Sequence, residues 1–258
     1  MSRTWNSRVP IAKNVVIAMH EMHFDVETRS AIPAAAMVQA AHISRGARPL
    51  ARGNDKSALF WSAKRSMDIV LSGLALVALM PLLAIVAAAV KIQDRGPVFF
   101  TQMRVGKGGK EFRLYKFRSM TVERGDVTGV RQTVINDARV TPVGAFIRRT
   151  SIDELPQLLN ILRGDMSIVG PRPHVKGQLA SGRPYAEVVP FYDLRHMVRP
   201  GLTGLAQVGG YRGPTHDPVV ARKRIEHDLD YISRASLGLD MLIIVRTAWG
   251  ELFGGTGF

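Results

Sequence analysis

Cysteine is absent from the chain, which excludes a disulfide framework, a thiolate metal site and a cysteine nucleophile. Histidine is present but scattered. Of seven, His20 and His23 stand closest together, and a lone short pair in a polar terminal segment reads as solvated surface rather than a metal-ligand set. Acidic charge is scarce: 21 Asp and Glu face 35 Lys and Arg, a net charge of +14. That balance suits a partner rich in phosphate, whether nucleic acid, anionic lipid or a nucleotide-linked substrate, and does not choose among them. Internal repeats and low-complexity tracts are also lacking, so 258 residues read as one domain of ordinary size with extensions.

What is present is an uncharged run at 69–90, flanked by Lys64 and Arg65 on one side and Lys91 and Arg95 on the other. As a helix it matches a hydrocarbon core of about 30 Å. Pro81 stands in its middle; it cannot donate to the carbonyl of Val77, so a bend or break is expected at 79–81. Three readings stay open on these grounds: a kinked span, a hairpin that re-enters by the face it left, and a buried core helix. Cations at both ends lean toward the hairpin, since flanking positive charge stays cytoplasmic.

Residues 1–59 show no sustained period, apart from a short helical pattern at 34–43, and read as a variable, partly disordered tail. Residues 60–95 form the membrane segment with its collar, in which two aromatics and two cations precede the apolar run. Asp68 at its edge is costly there unless Lys64 or Arg65, one turn earlier, satisfies it. Residues 96–258 read as the catalytic domain. A hairpin is expected from 98–100 and 111–117 around the turn 106–109, with Arg104, Lys107, Lys110, Arg113, Lys116 and Arg118 as a basic, solvated face. A polar loop follows at 121–138. Helices are expected at 143–149, 153–163 and 219–233, a strand at 167–169, and a surface-lying amphipathic helix at 237–253 carrying Asp240, Arg246 and Glu251.

The densest chemistry lies at 141–173, with one more proline-positioned cation beyond it. Asp153 and Glu154 stand side by side, Arg148 and Arg149 precede them, and Arg172 and Arg199 are each positioned by proline. The paired acids have a plain alternative, because Ser151 followed by Glu154 three residues later fits a helix capping box. Pro156 sits awkwardly in a helix capped at Ser151 and better in one that starts nearer Asp153.

The ordered set KRSMD, a proline-broken apolar segment, GPVFF, TQMRVGKGG, KFRSM, SIDELPQLLNILRGDMSIVGPRP and RPGLTG closely resembles the bacterial sugar transferase family, the monotopic phosphoglycosyl transferases that begin exopolysaccharide and O-antigen repeat units. The resemblance runs from Lys64 to the C-terminus. It implies an α+β, mostly helical, membrane-associated catalytic domain with a small β-hairpin, a re-entrant membrane helix broken at Pro81 and amphipathic surface helices. It implies Asp153 as nucleophile, Glu154 as the acid that holds Mg²⁺ with Asp153 beside it, and Arg172 as a phosphate ligand. Lys64, Arg65 and Asp68 match the motif that ties the membrane helix to the catalytic domain. Arg149 and Arg199, with Arg148, are further candidates to neutralise substrate phosphate.

The implied substrates are a UDP-sugar and undecaprenyl phosphate, at the cytoplasmic face of the bacterial inner membrane, with a homodimer left open. The chain is similar to the short, exopolysaccharide-initiating type. It departs from the family at Met80, where serine is common, and at Ala206 and Ala235, where tryptophan is frequent. A tethered nucleic-acid-binding protein is the rival from another class. It is disfavoured because aromatics are not interleaved with the cations and the paired acids would repel a polyanion.

Overall fold

The computed structural model describes residues 57–121, 137–189, 191–213 and 215–251. The expected tail up to residue 56, the short helix at 34–43 and most of the loop at 121–138 lie outside them.

Helix α1 (Ala58–Asp94) starts at Ser57, whose side chain accepts from the backbone N–H of Phe60, and ends on Arg95 in the left-handed conformation. Its 37 residues give a length of about 55 Å, and by length and composition it is apolar enough to cross a membrane. The expected break does not appear, because the helix runs through Pro81 without interruption. A proline removes one intrahelical hydrogen bond, and here the turns on both sides are held by packing, so the ladder resumes.

One face of α1 carries that packing. Ala75 and Leu76 lie against a core of Phe112, Leu114, Leu158, Ile161 and Met166. Further on, Val86 and Val90 join Phe117 and Ile147, with Leu82, Leu83 and Ala87 alongside. The opposite face leaves Val70, Leu74, Val77, Met80 and Ile85 exposed.

The hairpin forms as β1 (Phe99–Val105) and β2 (Glu111–Phe117), paired antiparallel from Phe99 with Phe117 to Val105 with Glu111. β1 is longer than its apolar stretch suggests, because pairing with β2 carries Arg104 and Val105 along. Helix α2 (Pro142–Arg149) is capped by the Thr141 side chain. The expected helix at 153–163 is split into a 3-10 turn (Ile152–Glu154) and helix α3 (Gln157–Arg163), closed by Gly164 at φ 92°.

Strand β3 (Ser167–Val169) pairs in parallel with β6 (Gly201–Thr203). Between them come the short strands β4 (Leu179–Ala180) and β5 (Arg183–Pro184), helix α4 (Tyr185–Val188) and a 3-10 stretch (Tyr192–Met197). The β3 and β6 backbones touch so closely that a Cβ added at Gly170 would meet the Arg199 carbonyl oxygen at 2.5 Å. Helices α5 (Leu205–Val208), α6 (Pro218–Arg234) and α7 (Leu237–Trp249) complete the described chain.

One further expectation is corrected here. α7 is amphipathic, but Asp240 is fully buried while Met241, Leu242, Val245 and Trp249 are exposed, so its acid faces inward and its apolar side outward. Glu251, just beyond it, pairs with Arg212 at 2.6 Å. The reason is tertiary: Asp240 is the buried counter-ion of Lys64 at 2.7 Å. Ala206 and Ala235, the positions where the family often has tryptophan, are buried.

Candidate active site

Helix α1 is attached near both ends by polar contacts to the same folded unit. Near its start the Lys64 ammonium donates to the Val169 carbonyl at 3.1 Å and to Asp240, and the Tyr231 hydroxyl donates to that carbonyl and to Asp240 at 2.8 Å. Arg65 donates to the Ile161 and Leu162 carbonyls at the end of α3, where a cation also suits the helix dipole. Asp68 is not satisfied by either cation. It accepts from the Ser167 hydroxyl at 3.1 Å and the Ile168 N–H at 3.0 Å, because strand β3 presents donors that the helix's own neighbours cannot. Near the end of α1 the Gln93 side chain accepts from the Val143 N–H at 2.9 Å, and Arg118 reaches Asp94 and the Val90 carbonyl. Pro81 lies between these attachments, exposed.

The acid pair sits on a strained turn. Ser151 adopts φ 53°, unusual for a residue with a side chain, and makes no capping hydrogen bond, so the capping-box alternative for Glu154 is not realised. α3 starts at Gln157 instead, with Pro156 in the N-cap position. Glu154 accepts a two-pronged contact from Arg172, at 3.0 and 2.5 Å, and a third from Lys116 at 2.7 Å.

Burial alone would raise the Glu154 pKa, but Arg172 and Lys116 together outweigh it and hold the carboxyl well below its usual value. Asp153, 7% exposed, is the opposite case. Burial pushes it from 3.8 to about 6, with Glu154 adding to the rise and Lys116, Arg148 and Arg172 opposing it. Neighbouring acids are thus driven apart, one firmly ionised and one poised near neutrality.

Arg172 is held through its backbone. Its carbonyl accepts from Arg195 at 2.6 Å, and Arg195 in turn forms a buried ion pair with Asp228 at 2.8 Å. Arg104 donates to the Pro173 carbonyl at 3.2 Å, the Val105 N–H to the His174 carbonyl at 2.9 Å, and the Gly201 N–H to the Pro171 carbonyl at 2.9 Å. So many cations crowd this segment that Arg104 is driven down to about 10, first by burial and then by Arg172. The guanidinium of Arg172 is therefore aimed by a rigid peptide.

Asp153, Glu154 and Arg172 are brought together as expected from the sequence. Arg149 is not part of the group: it is exposed and makes no hydrogen bond or ion pair within the described residues. Arg148, beside it, is the one that acts on Asp153. Arg199 lies elsewhere, its Nε donating to the Gly164 carbonyl at 2.8 Å at the far end of α3.

The residue that sequence reasoning passed over is Lys116, counted there with a solvated face. Its signal was available: Phe112 and Leu114 are buried, and strand alternation puts Lys116 on their side. Adjacent carboxylates are the donors Mg²⁺ takes when substrate phosphates complete its shell. Among the described residues no third His, Asp or Glu converges on them.

The family model for bacterial sugar transferases matches residues 59–254, and the chain belongs to that family. The exopolysaccharide production protein PSS of Rhizobium leguminosarum bv. phaseoli is 53% identical over 195 residues, covering 76% of this chain and 98% of the relative. The UDP-glucose:undecaprenyl-phosphate glucose-1-phosphate transferase of Xanthomonas campestris pv. campestris is 48% identical over 196 residues, 76% of this chain but 40% of the relative. The exopolysaccharide production protein ExoY of Rhizobium meliloti (strain 1021) is 40% identical over 200 residues, 72% of this chain and 83% of the relative. The chain thus spans nearly all of the first relative and less than half of the second.

Proposed function

We propose that the chain transfers a sugar 1-phosphate from a UDP-sugar to undecaprenyl phosphate, the step that initiates exopolysaccharide assembly, through a covalent intermediate on Asp153. The observation that carries this reading is the split acid pair: a buried carboxyl with no ion pair among the described residues, poised near neutrality, beside one locked to Arg172 and Lys116.

A carboxylate needs no base to act as nucleophile once ionised. An Asp153 oxygen attacks the sugar-bearing phosphorus, the bond from that phosphorus to the bridging oxygen breaks, and UMP leaves with the electron pair. A phosphate oxygen of undecaprenyl phosphate then attacks the same phosphorus, forming the lipid diphosphate and freeing the carboxylate. Arg172, Lys116 and Arg148 supply positive charge on the side where charge moves onto phosphate oxygens. Asp153 and Glu154 would hold Mg²⁺, which when bound neutralises phosphate charge. Releasing Lys116 or Arg172 from Glu154 toward substrate would accompany its binding.

The lipid substrate accounts for the membrane helix. That polar groups near both ends of α1 engage one folded unit supports a monotopic arrangement at the cytoplasmic face of the inner membrane, with both helix ends on one side. The exposed apolar faces of α1 and α7 are the surfaces lipid would cover. Because the chain has no cysteine, single cysteines at Ala58 and Ile92 give unambiguous labels. Both should react from the cytoplasmic side of sealed vesicles, and reaction of either from outside would refute the topology. Function is tested by incubating membranes with a panel of UDP-sugars and undecaprenyl phosphate. UMP release that depends on both enzyme and one UDP-sugar is expected, and no release with any of them would refute the reading.

A further inference from the structure

We propose that the cleft at the start of the membrane helix is a head-group site for one anionic phospholipid, separate from the site of transfer. The cleft is open to solvent, and Trp61, Lys107, Arg199 and Tyr231 line it together with Lys64, Arg65 and Asp68. Five chain segments converge there: the first turns of α1, the β1–β2 turn, strand β3, the loop before β6 and α6.

The charges in the cleft are not balanced. Lys64 is answered by Asp240, and Asp68 is spent on donors of β3. Arg65 gives its terminal nitrogens to carbonyls at the end of α3. Arg199 gives only its Nε, to Gly164, and its two terminal nitrogens make no hydrogen bond within the described residues. The exposed Lys107 ammonium lies 5.9 Å from the centre of the Trp61 ring, and no carboxylate among the described residues pairs with it. A guanidinium fork and an ammonium beside an indole are the groups that hold a phosphodiester at a membrane interface, where tryptophan is favoured.

The level fits as well. Exposed apolar side chains start just beyond the cleft, at Ile69, Val70 and Leu74. Helix α7, whose outward face is apolar, is pinned to the same spot through Asp240 and Lys64. A head group in the cleft would leave its acyl chains against these two faces. The acid pair lies before the N-terminus of α3 and the cleft beyond its C-terminus, separated by roughly 10 Å of helix rise. A phosphate bound here is therefore not the one being transferred, which is why the occupant is a resident phospholipid rather than the acceptor.

The proposal rests on membrane association alone and not on the transfer chemistry. Native mass spectrometry of the full chain, purified in detergent and offered equal amounts of phosphatidylglycerol and phosphatidylcholine, reads it directly. One phosphatidylglycerol should be retained in preference. Lys107→Gln combined with Arg199→Gln should weaken retention at least about tenfold, the worth of one charge-assisted hydrogen bond. Lys110→Gln with Arg113→Gln, on exposed hairpin positions, should leave it unchanged.

Because Arg199 also braces Gly164, Lys107→Gln alone keeps the test sound: the exposed Lys107 side chain makes no hydrogen bond or ion pair among the described residues, so the fold should stand while retention drops. Equal retention by Lys107→Gln and the unaltered chain would overturn the site, as would equal retention of phosphatidylcholine. Displacement by millimolar inorganic phosphate would point to a free anion, and preferential retention of undecaprenyl phosphate to the acceptor, and either would overturn the phospholipid assignment. UMP release measured on the same samples is a separate result, so failure of the transferase reading leaves the lipid result intact.

Discussion

Replacing Asp153 with asparagine should make the protein more stable, by an amount that grows from about pH 4 and is complete above about pH 6. In the fold the Asp153 carboxyl is pushed from 3.8 to about 6, chiefly by burial. A group with a raised native pKa binds more protons in the folded than in the unfolded state between those values, so stability falls as pH rises through that window and the loss is complete above it. The shift corresponds to about 3 kcal/mol, and for a domain of this size that is on the order of 5–10 °C in melting temperature. Asparagine keeps the shape and cannot ionise, so it escapes this cost. Thermal unfolding in detergent at pH 8 should place Asp153→Asn above the unaltered protein by several degrees, while at about pH 3, below both values, the two should nearly coincide. A variant less stable than the parent at pH 8, or a gap of the same size at both values, would refute the electrostatic reasoning. The same variant should release no UMP, a stability gain bought with function.

Lys116→Met removes the cation that most lowers Asp153, so the acid limb of the pH–rate profile should move upward from near pH 6; an unmoved limb would separate Lys116 from the nucleophile. Arg172→Lys keeps charge but loses the fork that grips Glu154, and turnover should drop by about an order of magnitude or more, which UMP release measures. Asp240→Asn leaves Lys64 buried without its counter-ion and should cost roughly 3 kcal/mol of stability. Lys64→Met combined with Asp240→Leu should recover part of that loss in the same thermal assay.

Much of the fold was legible because it is local. The bounds of β2 and β3 follow from alternation and turn residues, and α2 and α6 differ by a residue from their periodic stretches. The acid pair and Arg172 were readable from their residue types and from motifs in order. The rest depends on contacts no window contains. β6 is a strand because β3, over thirty residues earlier, lies beside it, and only the glycines hint at the close approach. Asp240 looked like the polar side of a surface helix because its partner Lys64 is 176 residues away. Ser151 and Glu154 fitted a capping box by spacing, but the ion pairs from Lys116 and Arg172 favour a turn that the box would forbid. Pro81 promised a break, yet its neighbours are packed on both sides and the helix continues.

The role of Asp153 as nucleophile is tested most directly by intact-protein mass spectrometry after mixing the enzyme with its UDP-sugar and Mg²⁺ but no lipid acceptor. A phosphosugar adduct that maps to Asp153 and disappears as lipid product forms on addition of undecaprenyl phosphate is the predicted result. Absence of the adduct under conditions where the complete reaction runs, with UMP released only once the lipid is present, would contradict it.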